Sequence, residues 1–182
     1  MSSTTELSII AFWLLPAREY GDYLRRLIRN LAAQFDAPVF EPHVTLYSAA
    51  AARFTAPAEA IARIVDSPQI TLRVRGIAHS EKFTKTLFVE LLANEAIRSL
   101  SRNIAEQARE PNEFNLEPHV SLIYKHLSEA ARAELAPSVA LPFDEITFDS
   151  ECAVHVPAEN NSTADVNAWR EAAPPQLLAR AD

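Results

Sequence analysis

The segment EPHVTL at residues 41–46 returns as EPHVSL at residues 117–122, 76 positions later, with Thr45 exchanged for Ser121. The same offset holds without a gap far outside these six residues. ITLRVRGIAHS at 70–80 falls on ITFDSECAVHV at 146–156, and IIAFWLLP at 9–16 falls on KTLFVELL at 85–92. Ile70, Thr71 and His79 thereby meet Ile146, Thr147 and His155, while Phe12 and Leu15 meet Phe88 and Leu91. Two copies of so long a unit do not make a solenoid, whose repeats run to about 20–45 residues and stack in larger numbers. A chain of 182 residues is long enough to bury a real interior. The repeat therefore predicts one bilobal α+β domain over residues 1–182, with halves at about 7–82 and 83–158. Its two pseudo-twofold-related lobes, each an antiparallel β-sheet with flanking helices, are expected to face each other across a central groove.

Each copy reads strand, helix, strand with histidine, helix, strand. In the first copy, LSIIAFWLLP at 7–16 is rich in bulky and β-branched residues and stops at Pro16. Residues 17–35 place Tyr20, Tyr23, Leu24, Leu27, Ile28, Leu31 and Phe35 at helical spacing on one face. A strand at 40–48, a short helix at 55–67 and a strand at 69–80 follow. The second copy repeats the order at 85–93, 94–110, 117–125, 128–136 and 144–156. Residues 157–165 read as a loop, and no element is assigned to 166–182.

Composition removes several functional classes. The formal charge of −7, with no basic tail, argues against gripping long nucleic acid through many phosphates. Only Gly21 and Gly76 are present, so no glycine-rich loop can cradle a phosphate with backbone amides. Cys152 is the only cysteine, which precludes an internal disulfide or a thiolate metal cluster. The opening residues lack the basic stretch of a signal peptide. The apolar run Leu7 to Leu15 is too short to cross a bilayer. A cytoplasmic protein with no membrane partner is expected.

Alternation along a strand puts His43 and Thr45 on one face and Val44 and Leu46 on the other, and it does the same for His119 and Ser121 against Val120 and Leu122. If a twofold brings the polar faces together, the groove floor carries two imidazoles and two hydroxyls. That set suits phosphodiester chemistry. A neutral imidazole takes a proton from water, an imidazolium gives one to the departing oxygen, and the hydroxyls hold the non-bridging oxygens. No metal or cofactor is required. His79 and His155 read as structural strand-end residues, His126 as solvated, and Lys82 and Lys85 as turn lysines.

The pair HVTL at 43–46 and HVSL at 119–122, in two pseudo-symmetric halves, resembles the 2H phosphoesterase superfamily over about residues 7 to 170. AFWLLP at 11–16, FEPHVTL at 40–46, SEKFTKTLFVEL at 80–91 and HVSLIY at 119–124 look like the cyclic phosphodiesterase branch known from plants and yeast. The resemblance implies hydrolysis of nucleoside 2′,3′-cyclic phosphates to 2′-phosphates, or of ADP-ribose 1″,2″-cyclic phosphate. It makes His43 and His119 the acid–base pair and Thr45 and Ser121 the phosphate-binding hydroxyls. Trp13 would line a base or sugar pocket and Tyr124 would stand near the substrate, although its parity is opposite to that of His119. The plant members use disulfides, which this chain cannot form. Pseudo-symmetry leaves open which histidine is the base. The expected partner is a small cyclic nucleotide or an RNA end, met by a monomer. A 2′–5′ RNA ligase-like or RNA-end-processing enzyme, and a non-catalytic nucleotide-binding or interaction module, are the competing readings.

Overall fold

The computed structural model describes residues 8–63 and 67–180. Leu7 of the expected first strand and residues 64–66 of the expected second helix lie outside them. The first copy runs β1 (Ser8–Pro16), α1 (Arg18–Phe35), β2 (Val44–Ala50), α2 (Pro57–Ala62) and β3 (Ile70–His79). The second runs β4 (Leu87–Leu91), α3 (Glu95–Ala105), β5 (His119–Ile123), α4 (Glu129–Leu135) and β6 (Glu145–Pro157). Two further elements follow, α5 (Thr163–Asn167) and β7 (Arg170–Leu177). The α+β class is as expected, with seven strands among the described residues in one antiparallel sheet.

The sheet order β2-β1-β6-β3-β4-β5 exchanges the last strand of each copy. β1 pairs with β6, and β4 pairs with β3. Alternation in sequence reports the two faces of a strand and says nothing of its neighbours, so this exchange is visible only in the structure. The exchanged strands also pair with each other where Thr71 stands opposite Thr147, their hydroxyls 2.8 Å apart. Thr147 is the repeat equivalent of Thr71, and a residue facing its own equivalent marks the pseudo-twofold axis.

Packing follows the same exchange. One face of the sheet buries Ile10, Phe12, Leu14, Val44, Leu46, Val89, Val120, Leu122, Ile146 and Phe148 in a single core. α1 lies against β5 and α3 against β2, so each copy's long helix covers the other copy's histidine strand. α1 buries Leu24, Ile28 and Leu31, the centre of the face expected from helical spacing. From α3, the Ser101 hydroxyl donates to the Leu46 carbonyl at 2.6 Å, a buried tie between the copies. β2 and β5, the two ends of the sheet order, also pack on one another. Each histidine strand is thus paired with the first strand of its own copy and packed against the long helix and histidine strand of the other.

Several boundaries differ from expectation; α3, for example, ends at Ala105 and not at residue 110, and β5 begins at His119 and not at residue 117. β2 begins at Val44 and not at Phe40, because Pro42 has no N–H for the ladder and restricts Glu41 as well. The expected loop at 157–165 contains the start of α5, and the unassigned segment beyond it forms β7. β7 pairs with β6 through Arg170, Glu171, Ala173, Gln176 and Leu177, leaving Pro174 and Pro175 at unpaired positions. An edge strand tolerates proline there, which is why a Pro-Pro pair did not prevent strand formation. No helix among the described residues is long and apolar enough to cross a membrane.

Candidate active site

The two EPH segments make the same local structure. The Nδ1–H of His43 donates to the Glu41 carbonyl, and the Nδ1–H of His119 to the Glu117 carbonyl, both at 2.7 Å. A carbonyl only accepts, so Nδ1 must carry the proton, and Nε2 is left free on each ring. The residue supplying each carbonyl is itself held by a cation. Glu41 receives Arg25 Nε at 2.9 Å, and Glu117 receives Lys85 Nζ at 3.0 Å. These pairs are partly exposed and contribute little to stability, about 0–1 kcal/mol each. Their consequence is geometric, since both imidazoles are oriented by a braced backbone.

All six residues singled out in the sequence line one cavity of about 320 Å³: His43, His119, Thr45, Ser121, Trp13 and Tyr124. Tyr124 reaches it because β5 ends at Ile123, so its side chain is released from the strand's alternation. Its ring stacks on Phe40 at 3.9 Å, and burial raises its phenol pKa. Trp13 stacks on His43, with ring centroids 3.8 Å apart and planes 13° from parallel. The Ser121 hydroxyl donates to the Thr84 carbonyl at 2.8 Å. Ser48, the repeat equivalent of Tyr124, lines the same cavity.

The pseudo-symmetry fails around the imidazoles. Val89 stands at the repeat position of Trp13, so His119 has no stacked indole and meets the edge of Phe88 at 5.4 Å. His43 is only 8% exposed, whereas His119 is half-buried. Burial is the main force pushing the His43 pKa down, to about 4, with the nearby His119 adding to it. His119 is lowered as well, first by burial and then by Lys85 and Lys82, against the opposing pull of the Glu117 carbonyl and carboxylate. Both rings are therefore neutral near pH 7 in the free protein.

Several lining residues were not foreseen. Thr84, Asn160 and Trp169 belong to a turn or to the segment after β6, where hydrophobic periodicity carries no signal. The Trp169 ring meets Trp13 edge-on at 5.1 Å and Tyr124 at 5.8 Å. Trp13 and Trp169 also form a wall of a second, mostly apolar cavity of about 450 Å³. Lys85, expected to be a plain turn lysine, is less exposed than that description implies and lies over the Phe88 ring at 4.7 Å. Among the described residues, no three His, Cys, Asp or Glu side chains stand close enough to hold a metal ion. His79 ends β3 opposite Leu87, and His155 lies in β6 opposite Ile10 and Arg170. Burial, aided by Glu171, Glu41 and Glu151, pushes the Cys152 thiol up to about 12, which keeps it from acting as a nucleophile.

The architecture has solved counterparts. TT0787 of Thermus thermophilus superposes with a TM-score of 0.60 at 11% identity, covering 93% of this chain and 97% of that one. LigT of E. coli in complex with 3′-AMP gives 0.54 at 14%, covering 93% and 96%. The same protein in complex with ATP gives 0.54 at 15%, covering 94% and 98%. At such identities the likeness is one of fold. No curated protein matches the chain in sequence. The family model described as "Cyclic phosphodiesterase-like protein" matches residues 8–151, a span that holds both histidine strands and the cations that brace them. With that match over most of its length, the chain belongs to the cyclic phosphodiesterase-like family of the 2H phosphoesterase superfamily.

Proposed function

We propose that this protein hydrolyses cyclic phosphodiesters of nucleotide size, without a metal, by a two-histidine acid–base mechanism. The observation that carries the reading is the pair of imidazoles in one cavity, each with Nδ1 tied to a carbonyl at 2.7 Å and Nε2 free. The cavity, about 320 Å³, lies at the small end of ligand sites, roughly 300–1,000 Å³. The nucleotides bound in the E. coli LigT structures, 3′-AMP and ATP, are ligands of the class expected here. Both His–hydroxyl pairs come from one chain, so a monomer is the working unit.

With a nucleoside 2′,3′-cyclic phosphate, the neutral His43 takes a proton from water as the water oxygen forms its bond to phosphorus. The bond from phosphorus to the 3′ oxygen breaks, and His119, in its protonated form, gives that oxygen a proton. The product is the 2′-phosphomonoester. Charge growing on the non-bridging oxygens is met by Thr45 and Ser121, which are worth most where water is excluded. The Ser121 proton, engaged with the Thr84 carbonyl at 2.8 Å, turns to the phosphate when substrate enters. The roles follow from burial: His43 is the ring held more firmly neutral, and His119 the one that water reaches and protonates.

The pH dependence of kcat/KM tests these roles, because it reports the acid and base of the free enzyme. The base must be deprotonated, so activity rises as pH passes the His43 pKa of about 4. The acid must be protonated, so activity falls above the His119 pKa, which lies below its ordinary 6.5. A bell with its maximum on the acid side of pH 6.5 is expected. A flat profile, or a maximum on the alkaline side of neutrality, would exclude this pair of roles.

A further inference from the structure

The wall of the active cavity contains two buried polar atoms without partners. Trp169 Nε1 and Asn160 Oδ1 have no hydrogen-bond partner among the described residues, and both residues line the cavity that holds His43 and His119. Buried indole N–H groups and amide oxygens are nearly always paired. One of these atoms only donates and the other only accepts. Lining one cavity, they suit a ligand that offers both an acceptor and a donor.

Their positions are fixed, which distinguishes them from loop residues caught in passing. Asp165 Oδ2 accepts from the Ser162 hydroxyl at 2.7 Å and from the Asn161 N–H at 3.0 Å, closing the turn that starts α5. From α5, Val166 is buried in a cluster with Ile28, Phe40, Phe83 and Tyr124, and Trp169 packs against that cluster. The segment carrying both orphan atoms lies beyond residues 8–151, the part of the chain that matches the family. The acid–base pair and hydroxyls come from the shared repeat, and these two groups come from an addition to it.

We propose that Trp169 and Asn160 read the base of a nucleotide ligand, with Trp169 Nε1–H donating to a ring or carbonyl acceptor and Asn160 Oδ1 accepting from an amino or imino N–H of the same base. A nucleobase edge carries both an acceptor and a donor. A phosphate carries acceptors alone. This assignment rests on the reading of the cavity as a nucleotide site and adds the residues that recognise the base.

Binding tests it separately from catalysis. Wild type, Trp169→Phe and Asn160→Leu are titrated calorimetrically with adenosine 2′-monophosphate, ribose 5-phosphate and inorganic phosphate. Each substitution should weaken adenosine 2′-monophosphate about tenfold, the scale of one lost hydrogen bond, and leave the two base-free ligands unchanged. In wild-type protein, the Trp169 indole ¹⁵N–¹H resonance, assigned from its loss in Trp169→Phe, should shift with adenosine 2′-monophosphate and not with phosphate. Unchanged nucleotide affinity in both variants, equal weakening of ribose 5-phosphate, or no nucleotide binding by wild type would overturn the assignment. Turnover plays no part in these readouts. An enzyme that binds the nucleotide as described but opens no cyclic phosphate would contradict the catalytic reading alone.

Discussion

His43→Ala and His119→Ala should each lower kcat on a nucleoside 2′,3′-cyclic phosphate by about 10²–10⁴-fold, the range for losing a positioned general acid or base. The two losses should differ in their pH signature. His43→Ala should remove the rising limb of the kcat/KM profile near pH 4, and His119→Ala the falling limb below 6.5, because the proposed roles assign each limb to one ring. A structural explanation competes most strongly at His43, which stacks on Trp13 at 3.8 Å and is buried. Circular dichroism and thermal unfolding of the variant separate the two explanations: an intact fold with lost turnover supports catalysis. Either variant retaining wild-type turnover with an unchanged profile would remove that histidine from the mechanism.

A second large effect is expected at a residue outside the cavity lining, Glu151. Both of its carboxylate oxygens are buried without a partner among the described residues, and β6 places the residue between Leu14 of β1 and Gln176 of β7. Burial raises its pKa from an ordinary 4.5 to about 8. Below pH 4.5 the folded and unfolded chains both carry the proton, and folding incurs no charge penalty. As pH rises toward 8 the unfolded chain has released its proton while the folded chain keeps it, so stability falls by about 1.4 kcal/mol per pH unit. Glu151→Gln, neutral at every pH, should equal wild type at pH 4.5 and exceed it by about 3 kcal/mol at pH 7. For a chain of this size that is a rise in Tm of about 6–12 °C. Thermal unfolding at the two pH values checks it, and a difference in Tm that does not grow with pH would contradict the burial of an uncompensated carboxylate.

Much of this fold was legible because the sequence states its plan twice. Ambiguity in one copy was settled by the other: KTLFVELL and IIAFWLLP support each other as strands, and they form β4 and β1. Alternation also placed Val44, Leu46, Val120 and Leu122 toward a core, where they are fully buried. Strand partners were not legible, because β3 and β6 read alike and either could have stayed with its own copy. The stacking of Trp13 on His43 was equally hidden. It depends on a register shift between Phe12 and Trp13 that sets Trp13 opposite Thr45, and no spacing rule announces such a shift. The last part of the cavity wall lay beyond the repeat, so no second copy supported it. Trp169 is carried there by a five-residue helix and a proline-interrupted edge strand, each too short or too irregular to leave a period. Glu151 was invisible for a different reason. A carboxylate inside EITFDSECAVHV looks like any solvent-facing position until β1 and β7 pair on either side of it.

The most direct test of the central claim is ³¹P NMR of 2′,3′-cyclic AMP incubated with wild-type protein in excess EDTA, at a pH on the acid side of neutrality. Complete conversion of the cyclic phosphate signal to that of adenosine 2′-monophosphate is the expected result: two imidazoles suffice, and the 3′ oxygen leaves. An unchanged cyclic phosphate, conversion only after a divalent metal is restored, or release of the 3′-monophosphate would contradict it.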